Sequence, residues 1–140
     1  MSFDLSSLQK SVSSLERAVK VASLKIKDEV NTDEEEVIRA GVIQNFEFTY
    51  ELCWKFMKRW LVTNIGGAVV DGVSRKELFR MAAESRLIVD VEAWFEYNNS
   101  RNETAYTYDA ETAEDVYKTA ISFLVEAQAF LKVLEAKNDT

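Results

Sequence analysis

Histidine and proline are both absent from this chain of 140 residues; glycine occurs four times and cysteine once. Without histidine the usual general base near neutral pH and the commonest metal ligand are missing. Ser-His-Asp and Cys-His catalytic arrangements and histidine-based zinc sites are therefore excluded within the chain, and no metal or other cofactor is expected. With no proline and so little glycine, little interrupts long helices, whereas an all-β chain needs far more turn punctuation. A lone cysteine excludes an intramolecular disulfide framework and suits a reducing compartment. Cys53 stands among Leu52, Trp54 and Phe56 and is expected to be a buried, inert thiol, because a reactive thiolate needs an open, cationic setting. There is no basic-then-apolar leader and no apolar run near the ~20 residues of a membrane span, so a cytoplasmic protein with no membrane association is expected.

What is present is an ordinary globular balance of 47% hydrophobic and 29% charged residues. The length suits a single domain over residues 1–140, large enough for one hydrophobic core. A net charge of −7 argues against non-specific nucleic-acid binding, which relies on Lys and Arg neutralising phosphates. A local basic patch remains compatible with a single nucleotide.

Leu5, Leu8, Val12, Leu15, Val19, Ala22 and Ile26 alternate three- and four-residue steps, a narrow seam that predicts a long first helix. Asp28 to Glu36 reads as an acidic connection whose later carboxylates suit the positive end of the next helix. From about Asp33 to Asn64 a second helix carries Ile38, Val42, Phe46, Thr49, Cys53, Phe56 and Trp60 on one face. Ile43, Tyr50, Met57 and Leu61 widen that face, implying several neighbours, a second subunit among them. Gly66-Gly67 and Asp71-Gly72 bracket a flexible connection. Ser74 and Glu77 have capping-box spacing ahead of a short helix through Leu78, Phe79 and Met81. Asp90 is placed to cap a helix containing Val91, Trp94 and Phe95, which turns polar at Asn98-Asn99-Ser100. Asp109 is placed to cap a last helix with Val116, Ala120, Phe123, Ala127, Phe130 and Leu134 on its seam, and Lys137 to Thr140 reads as a loose tail. The fold expected is all-α: an antiparallel, up-and-down bundle of four long helices plus one short helix, forming a homodimer.

The residues with chemical potential gather between Arg101 and Asp109. Arg101 offers a fixed charge and a planar donor fork for phosphate or carboxylate. Asn102 adds an amide, and Tyr106 and Tyr108 add hydroxyls. The plainer alternative is a helix end tied down by an Arg–carboxylate pair. On the second helix Gln44, Glu47 and Glu51 form a polar stripe. Glu47 and Glu51 are like charges at i,i+4, a mildly unfavourable pairing that a nearby cation relieves; Arg101 is the favoured candidate, with Lys55 the simpler partner for Glu51. Between Lys55 and Arg86, basic Lys55, Lys58, Arg59, Arg75, Lys76, Arg80 and Arg86 outnumber acidic Asp71, Glu77 and Glu84. This surplus is either a solvated surface or a dock for an acidic partner or a nucleotide phosphate. Gly66-Gly67 lacks the Gly-Lys-Ser/Thr ending of a P-loop.

Gln44-x-Phe46-Glu47-Phe48-Thr49-Tyr50-Glu51-x-x-Trp54-Lys55 resembles the second-helix signature of the HepT-like HEPN proteins, also called nucleotidyltransferase substrate-binding proteins. Ser74-Arg75-Lys76-Glu77, Trp94, and Arg101-Asn102 through Tyr108-Asp109 follow in that family's order, and the resemblance runs from roughly Leu5 to Ala136. It implies a dimerising helical bundle whose partner is a separate minimal nucleotidyltransferase of the MntA type. It also implies an Arg-x4-His-x-Tyr motif that in active members forms a metal-independent ribonuclease site, silenced when the partner attaches AMP to the motif tyrosine. Arg101 fills the arginine place and Tyr108 the tyrosine place, but Tyr106 stands where the motif has histidine. A phenol with a pKa near ~10, against ~6.5 for imidazole, is a poor general base at neutral pH. The function expected is thus a non-catalytic, nucleotide-binding (ATP or AMP) partner subunit using Arg101, Asn102, Tyr106 and Tyr108, with Tyr108 as AMP acceptor. The alternative is a ribonuclease acting on RNA through Arg101 and a degenerate Tyr106.

Overall fold

The seam of the first stretch becomes helix α1, Ser6–Lys25, in a computed structural model that describes residues 3–26, 32–104 and 110–138. It buries Leu8, Val12, Leu15 and Ala22 on one side, as three- and four-residue spacing requires. Helix α2, Asp33–Asn64, opens on a capping box not anticipated from the sequence. The Thr32 hydroxyl accepts from the Glu35 N–H at 3.2 Å, and the Glu35 carboxylate accepts from the Thr32 N–H at 3.3 Å. Asp33, Glu34, Glu35 and Glu36 all lie in the first turn, where the helix dipole favours negative charge. The later part of the acidic connection is therefore helix.

Between the paired glycines the chain is more regular than expected. Gly66, at φ 125°, leads into a single turn, α3, Gly67–Val70, and Gly72, at φ 83°, follows it. Val70 is fully buried and anchors the turn, so the described residues hold two short helices rather than one. The second is α4, Arg75–Glu84, capped by Ser74, whose hydroxyl accepts from the Glu77 N–H at 3.1 Å. Asp90 caps α5, Val91–Glu103, by accepting from the Ala93 N–H at 3.2 Å. The polar Asn98-Asn99-Ser100 run does not end α5, because Ser100 is buried and Asn98 is bound across the bundle.

Helix α6 spans Ala110–Asn138, so the expected tail is helical as far as Asn138. The cause is a long-range tie. The Phe3 N–H donates to Asn138 Oδ1 at 2.7 Å, and Asn138 Nδ2 donates to the Phe3 carbonyl at 3.0 Å. The expected Asp109 cap lies outside the described residues.

Cross-helix polar pairs give the directions. Ser11 and Thr49 hydroxyls meet at 2.6 Å, and Ser14 Oγ donates to Asn45 Oδ1 at 2.6 Å, so α1 and α2 are antiparallel. Gln9 and Gln128 donate to Glu135 and Glu16, setting α1 against α6 in the same sense. Tyr50–Asn98 and Glu47–Arg101 run α5 opposite to α2. Helices α1 and α5 therefore point one way and α2 and α6 the other, the up-and-down bundle expected.

The core is aromatic at its centre. Trp94 meets Tyr97, Phe123 and Phe130 edge-on at centroid distances of 5.3, 5.7 and 6.1 Å, and Phe123 meets Phe46 at 5.1 Å. Such edge-to-face pairs add ~0.5–1.5 kcal/mol each beyond the burial of their surface. The Trp94 indole N–H is buried with no acceptor among the described residues. Cys53 is fully buried, and burial pushes its thiol well above the usual range, which makes it inert as expected. No helix among the described residues is long and apolar enough to cross a membrane.

Candidate functional site

The helical register of α2 places Gln44, Glu47 and Glu51 along one side, with Gln44 exposed and the two carboxylates half-buried. Helix α5 lies alongside, and its last turn carries Arg101. Arg101 Nε stands 3.3 Å from Glu51 Oε1, and Nη1 stands 3.9 Å from Glu47 Oε2. The cation favoured to relieve the i,i+4 repulsion is the one found there. Nε is buried and close to Glu51, yet it is not aligned for a hydrogen bond, so the attraction is chiefly Coulombic. Nη1 donates to Thr104 Oγ1 at 3.1 Å, and that hydroxyl donates to the Arg101 carbonyl at 2.7 Å. Arg101 thus also ties down the end of α5, the plainer role foreseen for it. The two roles coexist, since 33% of its side chain remains exposed.

Asn102 is exposed beside it. Tyr106 and Tyr108 lie outside the described residues. The described part of the expected group is thus Arg101 held between Glu47 and Glu51, with Gln44 and Asn102 on the surface.

A set of side chains not anticipated from the sequence extends this cluster across three helices. The Trp54 indole N–H donates to Glu51 Oε2 at 3.0 Å. The Arg75 guanidinium lies 3.6 Å from the centre of the Trp54 ring and donates to the Tyr50 hydroxyl at 3.2 Å. Tyr50 donates in turn to Asn98 Oδ1 at 2.7 Å. Asn98 sits one turn before Arg101, so the path returns to its origin. Burial raises the Tyr50 phenol to about 12, with the Arg75 hydrogen bond opposing, so it stays a protonated donor at neutral pH. Trp54 could have been found at i+3 from Glu51; nothing local to Ser74-Arg75 points to Tyr50.

Lys55, the simpler candidate partner for Glu51, has its ammonium 5.8 Å over the Trp54 ring instead. Much of the basic surplus is likewise laid on aromatic faces: Lys76 and Arg80 over Phe95 at 5.4 and 5.5 Å, and Arg59 over Phe56 at 4.9 Å. A second arginine, Arg39 on α2, reaches the start of α6, where its Nε is 3.1 Å from Glu114 Oε2 and its guanidinium lies 5.7 Å from the Tyr117 ring. It was not singled out in the sequence because its partners are more than seventy residues away.

Comparison with known proteins bears on this arrangement. The chain matches the family described as "Nucleotidyltransferase substrate binding protein like" over residues 3–136. It is 38% identical over 105 residues to a Haemophilus influenzae protein named "Probable ribonuclease HepT", covering 74% of this chain and 72% of that one. A solved Haemophilus influenzae structure, described as revealing the fold of a substrate-binding domain of a nucleotidyltransferase, superposes with a TM-score of 0.85. It is 34% identical and covers 94% of this chain and 99% of that one. A Thermus thermophilus structure shares the fold at a TM-score of 0.64 and 24% identity, over 86% of this chain and 98% of that one. A match along almost the whole length, a shared helical fold and a 38% identical relative agree, and the chain belongs to the HepT-like family of nucleotidyltransferase substrate-binding proteins.

Proposed function

We propose that this protein is the non-catalytic, nucleotide-binding subunit of a two-protein nucleotidyltransferase system. It presents the Arg101–Tyr108 segment to a minimal nucleotidyltransferase of the MntA type, in a toxin–antitoxin-type pair. The observation that carries this reading is Arg101, positioned by Glu47 and Glu51 yet one-third open to solvent, with a side-chain exposure of 33%. A guanidinium so oriented and still accessible suits a phosphate-bearing ligand. Family membership and the description of the Haemophilus influenzae relative as a substrate-binding domain support the partner class.

In the finer form of this reading Tyr108 accepts AMP. Its phenolic oxygen bonds to the α-phosphorus of ATP, its proton departs to a base of the partner, and pyrophosphate leaves. A homodimer belongs to the same reading, and the outward Val37 and Phe48 of α2, 72% and 58% exposed, support it. Co-purification with a minimal nucleotidyltransferase of the MntA type, followed by intact mass after addition of ATP, tests the proposal. The expected result is association and a gain of AMP units that disappears in Tyr108→Phe. No association at micromolar concentration refutes it.

The second reading is a metal-independent ribonuclease, favoured by the name of the 38% identical relative. With Tyr106 in the histidine place, loss of the base lowers the rate by ~10²–10⁴. RNA cleavage in the presence of a chelator, abolished by Arg101→Ala, would establish it. An inert wild type that gains cleavage on Tyr106→His would leave the binding role standing.

A further inference from the structure

Lys55, Lys58 and Arg75 stand around Trp54, and none of them forms an ion pair with a carboxylate among the described residues. In a chain with a net charge of −7, three neighbouring cations left unneutralised create a local positive field that an anion would relieve. Lys58 and Arg75 border a concavity. A hollow of about 230 Å³ lies between α2, α3 and the start of α4, walled by Trp54, Val70 and Val73 and flanked by Lys58 and Arg75. Arg75 is held in place before any ligand arrives, 3.6 Å from the Trp54 ring centre and hydrogen-bonded to the Tyr50 hydroxyl at 3.2 Å. Fixing the fork in advance removes ordering cost from binding.

The size narrows the ligand. Pockets that engulf whole small molecules run to roughly 300–1,000 Å³, so this hollow suits a short phosphate chain rather than a complete nucleotide. Arg75 already occupies a face of Trp54, which leaves charge recognition and not base stacking as the mode of binding there. A planar guanidinium beside a mobile ammonium is a pairing well matched to phosphate oxygens.

We propose that the hollow between Trp54, Lys58 and Arg75 is a phosphate-binding site, accepting the phosphoryl groups of a nucleotide or of a nucleic-acid backbone. It is separate from the Arg101 site. Glu51 stands between the two, 3.3 Å from Arg101 and 3.0 Å from the Trp54 indole. The inference goes beyond the function proposed above and depends only on the residues of the hollow.

The test is titration of the full-length protein with inorganic tripolyphosphate at low salt, by calorimetry and tryptophan fluorescence, with ATP and a short single-stranded RNA as parallel probes. Tripolyphosphate is expected to bind, and Lys58→Glu, at an exposed position that leaves the circular dichroism melt unchanged, to weaken it at least tenfold. Arg75→Lys, which keeps the charge but loses the fork, is expected to weaken it severalfold, and Lys20→Glu, the same charge change at an exposed position toward the opposite end of the bundle, to leave it within twofold. Affinity for ATP matching that for tripolyphosphate assigns the site to nucleotides; affinity rising with RNA length assigns it to a backbone. No binding at millimolar tripolyphosphate, or binding unchanged by Lys58→Glu, overturns the proposal. Binding lost in Arg101→Ala but not in Lys58→Glu places the anion at Arg101, which rejects the hollow while sustaining the function proposed above.

Discussion

The Trp54 indole N–H and Glu51 Oε2 meet at 3.0 Å, so the carboxylate that faces Arg101 is itself held from the next turn of its own helix. The geometry of Arg101 therefore depends on an indole bound to its carboxylate partner. Because both charged side chains are about one-third exposed, 33% each, their attraction is screened. A double-mutant cycle with Glu51→Gln and Arg101→Gln is expected to return a coupling of about 0.2–1 kcal/mol in urea unfolding. A coupling above about 2 kcal/mol would show the pair to be far better shielded from water than its exposure implies.

Tyr50 makes stability depend on alkaline pH. Its phenol ionises near 10.0 when unfolded and is pushed up to about 12 in the fold, chiefly by burial. Between those values the folded state keeps a proton that the unfolded state has lost. Stability is therefore complete below pH 10 and falls through the interval up to 12, at about 1.4 kcal/mol per pH unit. Tyr97, also raised by burial, contributes in the same direction. Tyr50→Phe should flatten part of this slope. At neutral pH it should cost about 1–3 kcal/mol, because Asn98 Oδ1 and Arg75 Nη1 lose their shared partner. An unchanged alkaline slope would refute the assignment.

Trp94 carries two opposing effects. Truncating so large a buried ring to alanine should cost about 3–5 kcal/mol. Trp94→Phe should cost less than about 2 kcal/mol, because it also removes a buried N–H that has no acceptor among the described residues. Chemical denaturation of both variants measures the difference, and equal costs would show that the indole nitrogen has a partner.

Asn138→Ala removes two hydrogen bonds to Phe3 and should lower stability by about 1–2 kcal/mol. The loss should appear as faster amide exchange at Phe3 and in the last turn of α6. Asn138→Asp, which retains only the acceptor, should recover part of the protection. If neither variant alters exchange at Phe3, the tie does not hold the end of the bundle.

Much of this architecture was legible because its causes are local. The seam of α1, the bounds of α2 and the caps at Ser74 and Asp90 follow from spacing and from donors left open at helix starts. Arg101 between Glu47 and Glu51 was legible for another reason: two like charges on one face require a cation, and few were placed to serve. Thr32 and Glu35 carried the same capping signal as Ser74 and Glu77 but were hidden within an acidic run. The turn at Gly67–Val70 was obscured by glycines and is explained only by the burial of Val70. Arg75 on Trp54, Arg39 on Glu114 and Asn138 on Phe3 join residues distant in the chain, and no periodicity reports such meetings.

The tie between Phe3 and Asn138 also has a topological meaning. With backbone and side chain of residues 3 and 138 in hydrogen-bond contact, the stretch between them forms a nearly closed ring, and its linear order of helices is one opening of that ring among several. A short linker joining residues 3 and 138 of that stretch, with the chain cut instead at the exposed Val89 after α4, should yield a circular permutant that assembles the same bundle.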